Sequence, residues 1–334
     1  MDPLAALTEI ATLLERERAS RYRSKAFRAA ADAIESLTPA QLREPERLRR
    51  TPGIGETTLT VIQQALAGEV PAYLADLRER MGVVQSTLRP ALRGDLHAHS
   101  DWSDGLTPID DMVAAARDLG HEYLALTDHS PRLRVANGLS VERLTAQLEL
   151  VPGFSGDGFT LLSGIEVDIL EDGALDQEER MLAQVDVVVA SVHSKLRMDA
   201  RPMTARMLRA VTDPHTDVLG HCTGRLVEGS RGTRPASDFD AGAVFAACAE
   251  RGVAVEINSR PERQDPPDDL IAIALEAGCL FSIDSDAHAP GQLSLLDHGA
   301  ARAEAAGVPA DRIVTTWPLA RLREWLDRDR DRDR

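Results

Sequence analysis

Apolar residues in the first eighty positions recur in steps of three and four. Leu4, Leu7, Ile10, Leu13 and Leu14 mark one helical face. Phe27, Ala30, Ala31, Ile34 and Leu37 mark another, on a helix that starts near Ser24. Pro39 and Pro45 interrupt the period, so residues 4–80 read as several short helices. From Gly94 the rhythm changes. Strand-like apolar runs at 94–99, 123–129, 160–169, 185–194, 217–222, 253–259, 280–285 and 313–316 alternate with amphipathic stretches such as 109–119, 141–149, 241–250, 267–277 and 295–306. Such alternation predicts an α/β fold with a parallel sheet, and seven or eight units suggest a closed barrel. The expected domains are a helical domain at 1–80, a linker at 81–93, a barrel at 94–326 and an Asp/Arg tail at 327–334.

Polar residues at the ends of the strand-like runs carry the chemistry. The densest group is Asp95-Leu96-His97-Ala98-His99-Ser100-Asp101-Trp102-Ser103-Asp104-Gly105. Side chains alternate along a strand, so His97 and His99 point to one side and can reach one cation. His129, Glu166, His193, His221 and the Asp286-Ala287-His288 triplet end later runs. Six of the chain's nine histidines fall at strand ends in this way, joined by Asp104, Glu166 and Asp286. A lone barrel histidine usually packs or hydrogen-bonds, but a set of this size points to metal. Mixed nitrogen and oxygen donors favour Zn, Mn or Fe. A bridging carboxylate can hold two cations about 3.5–4 Å apart, where a shared water is acidified for attack on phosphorus. His121, His215 and His298 lie at helix ends or in loops and read as structural or solvated.

Composition narrows the setting. The formal net charge is −16, yet the first 93 residues carry 14 Lys+Arg against 12 Asp+Glu, and the rest carries 24 against 42. An acidic barrel repels phosphates unless cations offset it. No apolar run approaches the roughly 20 residues of a membrane span. The first residues show no basic segment leading into an apolar one, so no secretory signal is expected. Cys222, Cys248 and Cys279 suit reduced thiols in a cytoplasmic protein.

The motifs His97-Ala98-His99, Asp104-Gly105, Thr127-Asp128-His129, Glu166, His193, His221 and Asp286-Ala287-His288 resemble, in order and spacing, those of the polymerase-and-histidinol-phosphatase (PHP) family. The resemblance covers residues 94–318. It implies a distorted (β/α)7 barrel with a trinuclear site. By that resemblance one cation takes His97, His99, Glu166 and Asp286. A second shares Glu166 with His193 and His221, and a third takes Asp104, His129 and His288. The runs 134–139, 220–226, 256–261 and 281–288 resemble the PHP domain of bacterial family X DNA polymerases. Residues 1–80 resemble their amino-terminal helical domain, with Pro52-Gly53-Ile54-Gly55 as the helix-hairpin-helix turn. The short stretch from Leu77 to Gly94 leaves no room for a polymerase core there, so polymerase activity is not expected.

Glycines at such a turn allow a tight bend, and the N–H groups at Gly53, Ile54 and Gly55 can face a DNA phosphate. Arg16, Arg18, Arg21, Arg23, Lys25, Arg28, Arg49 and Arg50 add positive charge among interleaved acids. Weak, sequence-independent and salt-sensitive binding is expected, to single strands or strand ends. Val61 stands where some polymerase relatives place a Schiff-base lysine, so lyase chemistry is not expected. Lys195, Arg225, Arg260 and Arg263 are the basic groups expected near the metal face. Arg225, and with it Arg260, is the candidate for a substrate phosphate, the alternative being a salt bridge to the acidic surface. Lys195, two residues past His193, is expected on that ligand's side.

The expected function is that of a metal-dependent phosphoesterase using two to three divalent ions on DNA ends, as a 3′→5′ exonuclease or 3′-phosphatase. The alternatives are a small-molecule phosphatase of histidinol-phosphate or nucleotide type, and a non-catalytic DNA-binding accessory protein. DNA, a phosphate ester and DNA repair factors are the candidate partners, and a membrane is not.

Overall fold

The computed structural model describes residues 1–17, 20–82, 84–228 and 232–328. The chain divides into two units, Met1–Val83 with Pro290–Gln292, and Val84–Ala289 with Leu293–Arg334. Arg18, the Arg21 side chain and the tail from 329 lie outside the described residues.

The first unit is helical: α1 (Pro3–Arg16), α2 (Arg21–Glu35), α3 (Pro39–Leu42), α4 (Pro45–Arg50), α5 (Glu56–Leu66) and α6 (Ala72–Met81). The period-3.6 positions read from the sequence make its core: Leu7, Ile10, Leu14, Phe27, Ala30 and Ile34 pack with Leu48, Leu59, Val61, Ile62, Leu74 and Leu77. Proline at the start of α1, α3 and α4 presets the first turn where a missing N–H costs nothing. The α4–α5 turn depends on Gly53, whose φ of +90° suits glycine.

The second unit carries seven parallel strands in sequential order: β1 (Gly94–Ala98), β2 (Tyr123–Leu126), β3 (Thr160–Asp168), β4 (Val187–Ser191), β5 (Val218–Leu219), β6 (Ala254–Asn258) and β7 (Leu280–Asp284). Helices α7 (Ile109–Asp118), α8 (Val141–Leu150), α9 (Glu179–Leu182), α10 (Ala200–Val211), α11 (Ala241–Arg251) and α12 (Asp268–Glu276) fill the successive crossovers. Helices α13 (Leu296–Ala305) and α14 (Leu319–Leu326) follow β7.

The sheet nearly closes on itself. A parallel bridge joins Ala98 to Ala287, and His99 N donates to Ala287 O over 2.8 Å. Below that bridge carboxylates replace the ladder. Asp284 accepts from Leu96 N at 2.8 Å, and Asp95 accepts from Ser285 Oγ at 2.5 Å.

The expected eighth strand at 313–316 is not one. Ile313 makes a single bridge to Phe281, and Val314–Thr316 turn as a 3₁₀ segment. The turn carries Trp317 into an apolar layer of Leu96, Tyr123, Ala125, Leu162, Val187, Val189, Val218, Ala254 and Trp325. That layer draws on alternate positions of the strands and fills the lower barrel. Continuing the same alternation upward gives Thr127 and His129 after Ala125, Gly164 and Glu166 after Leu162, Ser191 and His193 after Val189, and Glu256 after Ala254. The barrel is apolar at one end and polar at the carboxyl end, where barrel active sites form. No helix among the described residues is long and apolar enough to cross a membrane.

Candidate metal centre

Glu166 stands at the middle of the polar layer with 1% exposure. Its Oε2 lies 3.3 Å from His97 Nε2, 3.6 Å from His99 Nε2 and 2.9 Å from His129 Nδ1. Its Oε1 lies 3.3 Å from His193 Nε2 and 3.5 Å from His221 Nε2. Five imidazoles from four strand ends therefore meet one carboxylate. Asp104 reaches His129 Nε2 at 3.4 Å and His288 Nε2 at 3.2 Å, and Asp286 lies 3.5 Å from His99 Nε2. All nine residues singled out by sequence thus lie in one connected cluster.

Within it, ligand-type atoms of His99, Asp104, His129 and His288 fall within 4.8 Å of one another. The same holds for His97, His99 and Glu166, for His129, Glu166 and His193, and for His97, His221 and Glu256.

The donor set fits cations. Buried polar atoms are ordinarily hydrogen-bonded. Here His97 Nε2, both ring nitrogens of His99, His129 Nδ1 and both oxygens of Glu166 are buried with no hydrogen bond. His193 and His221 bring their Nε2 atoms to 3.1 Å, a distance that needs a proton or a cation to relieve two facing lone pairs.

Charge in the cluster is shared by protonation. Burial opposes an imidazolium at His97, but Glu166 and Glu256 beside the ring hold its pKa well above the ordinary value. His129 is pushed up to about 10 against burial, chiefly by Glu166. His99 falls to about 3 through burial and the neighbouring His288 and His129. Despite burial, Glu166 is held well below the usual carboxylate range by His97, His129 and His193. The imidazoliums occupy the electrostatic place that divalent cations would take.

A surrounding layer of carboxylates orients the rings. Glu256, fully buried, accepts from His97 Nδ1 at 2.6 Å and from His221 Nδ1 at 3.1 Å. Asp168 accepts from His193 Nδ1 at 2.5 Å. Asp128 takes Ser100 N and Oγ, Ser103 Oγ and Gln147 Nε2, fixing the loop that carries Asp104. Sequence reading assigned no role to Glu256, Asp168 or Asp128. The available signal was a carboxylate within or just after a buried strand, which must find a partner.

The basic residues separate. Arg260 Nη1 meets Asp286 Oδ1 at 3.0 Å, and Arg263 Nε meets Asp286 Oδ2 at 3.2 Å. Against burial, the two guanidiniums hold the Asp286 carboxyl well below its usual range. Arg225 donates Nε to the carbonyls of Gln264 at 2.8 Å and Arg263 at 3.1 Å, rather than joining a surface carboxylate. Strand alternation does not extend to Lys195. β4 ends at Ser191, Lys195 turns at φ +53°, and its exposed ammonium lies 4.0 Å from Glu171.

In the hairpin turn, Gly55 N–H is already given to Thr58 Oγ1 at 2.9 Å and Ile54 N–H to Thr51 O at 3.2 Å. Of the three, Gly53 N–H alone makes no hydrogen bond among the described residues. Val61 is buried.

Residues 95–260 match the family model described as PHP domain, and residues 1–70 match the one described as Helix-hairpin-helix domain. A probable phosphatase of Shewanella sp. (strain MR-4) is 30% identical over 238 residues, 68% of this chain and 89% of that protein. The chain belongs to the PHP family. It is a PHP-domain phosphoesterase with an amino-terminal helix-hairpin-helix domain. The DNA polymerase/3′-5′ exonuclease PolX of Bacillus subtilis (strain 168) is 34% identical over 240 residues, 71% of this chain. This PHP chain spans 41% of the length of that relative. The solved histidinol phosphate phosphatase of Lactococcus lactis, complexed with zinc, L-histidinol and phosphate, has a TM-score of 0.47 at 19% identity, covering 64% of this chain and 94% of that one.

Proposed function

We propose that His97, His99, Asp104, His129, Glu166, His193, His221, Asp286 and His288 hold two to three divalent cations, and that the enzyme hydrolyses phosphate esters at DNA ends. The reading is a 3′→5′ exonuclease or 3′-phosphatase without polymerase activity, acting in the cytoplasm, where its three buried free thiols stay reduced. The carrying observation is Glu166, a buried carboxylate with both oxygens unbonded among five imidazoles, in a chain that also has a helix-hairpin-helix domain.

Divalent cations there would supply Lewis acidity toward the phosphoryl group and acidify water. The chain's own residues do the rest. Glu256 and Asp168 hold three rings with their Nε2 atoms turned inward. Arg260 and Arg263, on the loop after β6, add positive charge at the Asp286 edge, where a phosphoryl oxygen can be paired bidentately. The helical domain presents the strand, with Gly53 N–H toward a backbone phosphate, and Lys195 and Arg225 lie on loops at the same carboxyl end. Support for the DNA reading comes from the second domain and from the exonuclease relative.

A second reading, a small-molecule phosphatase, is favoured by the probable phosphatases, 89–93% of whose length the match covers. The two separate in one assay. Protein loaded with Mn²⁺ or Zn²⁺ is offered end-labelled single-stranded DNA, 3′-phosphorylated DNA, and a panel of phosphate monoesters. Cleavage of DNA ends that is lost in His99→Ala supports the first reading. Activity on monoesters alone moves the assignment to the second, and inactivity with metal bound removes both.

A further inference from the structure

We propose that Arg206 of α10 is a positioning residue that fixes His193 for its place in the site. The inference rests on the proposed cation-binding role of His193. Arg206 is among the largest fully buried side chains, at 1% exposure. Its Nε donates to Ile169 O at 3.1 Å, and one Nη also donates there. Its other contacts are Ser194 O at 2.9 Å and Ser194 Oγ at 3.2 Å. The four bonds end on three neutral oxygens. Burying a guanidinium with no carboxylate against it is costly, and a hydrophobic residue would ordinarily fill a helix position facing a core.

The placement of the fork explains the cost. Ile169 follows Asp168 and Ser194 follows His193. The guanidinium therefore clamps the two backbones that emerge from β3 and β4, one residue beyond each member of the Asp168–His193 pair. Ile169 N also donates to Ser191 O at 2.8 Å, so the two segments leave the sheet side by side. The clamp continues below, where the loop after β3 turns at Gly173, and a Cβ there would lie 2.6 Å from Arg206 O. A planar, rigid fork can hold two carbonyls in fixed register, which a flexible ammonium cannot. The positive charge of Arg206 also interacts with Asp168, which accepts from His193 Nδ1 while Nε2 faces Glu166.

The test uses the full chain and reads the His193 ring directly. In metal-free protein the Nδ1 proton of His193, bonded to Asp168 over 2.5 Å, is expected far downfield and slow to exchange, and His193→Gln assigns it. Arg206→Met is expected to broaden or shift this resonance and to lower zinc affinity, measured by chelator competition, about tenfold or more, as removal of a ligand's supporting partner does. Asp168→Asn is expected to remove the resonance and lower zinc affinity similarly. The double variant is expected to bind zinc as Asp168→Asn alone does, because both act through one ring. Additive losses in the double variant, or an unmoved His193 proton in Arg206→Met, would overturn the proposal. If Arg206→Met does not fold, Arg206→Lys carries the same comparison. It keeps the charge but not the fork, and a loss of about threefold is expected that vanishes in the Asp168→Asn background. Should wild-type protein bind no zinc, Mn²⁺ or Fe²⁺, the metal reading fails, while the His193 proton still decides the role of Arg206.

Discussion

His97 Nδ1 donates to Glu256 Oε1 over 2.6 Å, with both side chains fully buried. This contact sets which face of the ring is available, because Nε2 must then point at Glu166. The other Glu256 oxygen accepts from His221, so one carboxylate orients rings from two strands. Glu256→Gln keeps the shape but removes the charge and one acceptor. Metal affinity is expected to fall by about 10–100-fold with little change in fold. Chelator competition with Zn²⁺ measures it, and wild-type affinity in this variant would show that the rings orient themselves.

Cation binding must displace protons. With His129 held at about 10 and His97 well above its ordinary value, both rings are charged at neutral pH in the metal-free protein. A ligating imidazole is neutral, so each gives up a proton on binding. Apparent metal affinity therefore rises with pH, by about tenfold per pH unit for each proton released. His99, at about 3, is already neutral and contributes none. Titration calorimetry in buffers of different ionisation enthalpy counts the protons, and a count of zero at pH 7 would remove the charged-ring picture.

His121, outside the cluster, makes a separate pH prediction. It is buried, neither ring nitrogen has a hydrogen-bond partner, and burial followed by the charge of Arg89 lowers its pKa to about 4. In the unfolded chain a histidine takes its proton near pH 6.5. As pH falls from 6.5 toward 4 only the unfolded state gains that proton, so stability falls, at about 1.4 kcal/mol per pH unit once well below 6.5. Above pH 6.5 the penalty is absent. His121→Leu is expected to raise the melting temperature, and to do so more at pH 5 than at pH 7.5. Equal gains at both pH values would rule out proton linkage at this site.

The barrel and its ligand face were legible because both follow from alternation. Ala125, Thr127 and His129, or Leu162, Gly164 and Glu166, are one inward row that passes from apolar to polar along a strand. Well past the strand ends alternation no longer places a side chain. Lys195 lies four residues beyond β4, and a left-handed turn there breaks the parity that placed it beside His193. The segment at 313–316 has strand-like composition, but Trp317 is drawn into the barrel floor and the backbone turns to deliver it. Arg206 on α10 shows the opposite failure, a charge on an inward helix face where sequence pattern expects solvent. Roles such as those of Glu256 and Asp168 depend on contacts between strands far apart in sequence, which no local period encodes.

The hairpin of the helical unit separates two glycines that sequence treats alike. Gly53 has φ +90°, and a Cβ there would lie 2.9 Å from the Ala29 carbonyl oxygen. Gly55 has an extended backbone at φ −102°, and a Cβ there would meet nothing within 4 Å. Gly53→Ala is therefore expected to destabilise the helical unit by about 1–3 kcal/mol, through left-handed strain and contact with fixed backbone. Gly55→Ala should change stability by less than about 1 kcal/mol, since neither strain nor contact applies and a helix-capping glycine loses only modestly to alanine. Because Gly55 N–H is held by Thr58 and Gly53 N–H is not, the pair also separates folding from DNA contact. Gly55→Ala is expected to keep low-salt binding to single-stranded DNA. Denaturant melts of each variant, followed by fluorescence anisotropy with a labelled oligonucleotide at 50 mM and 200 mM salt, make the comparison. A folded Gly55→Ala protein that no longer bound DNA would show that this glycine, rather than the Gly53 turn, forms the contact.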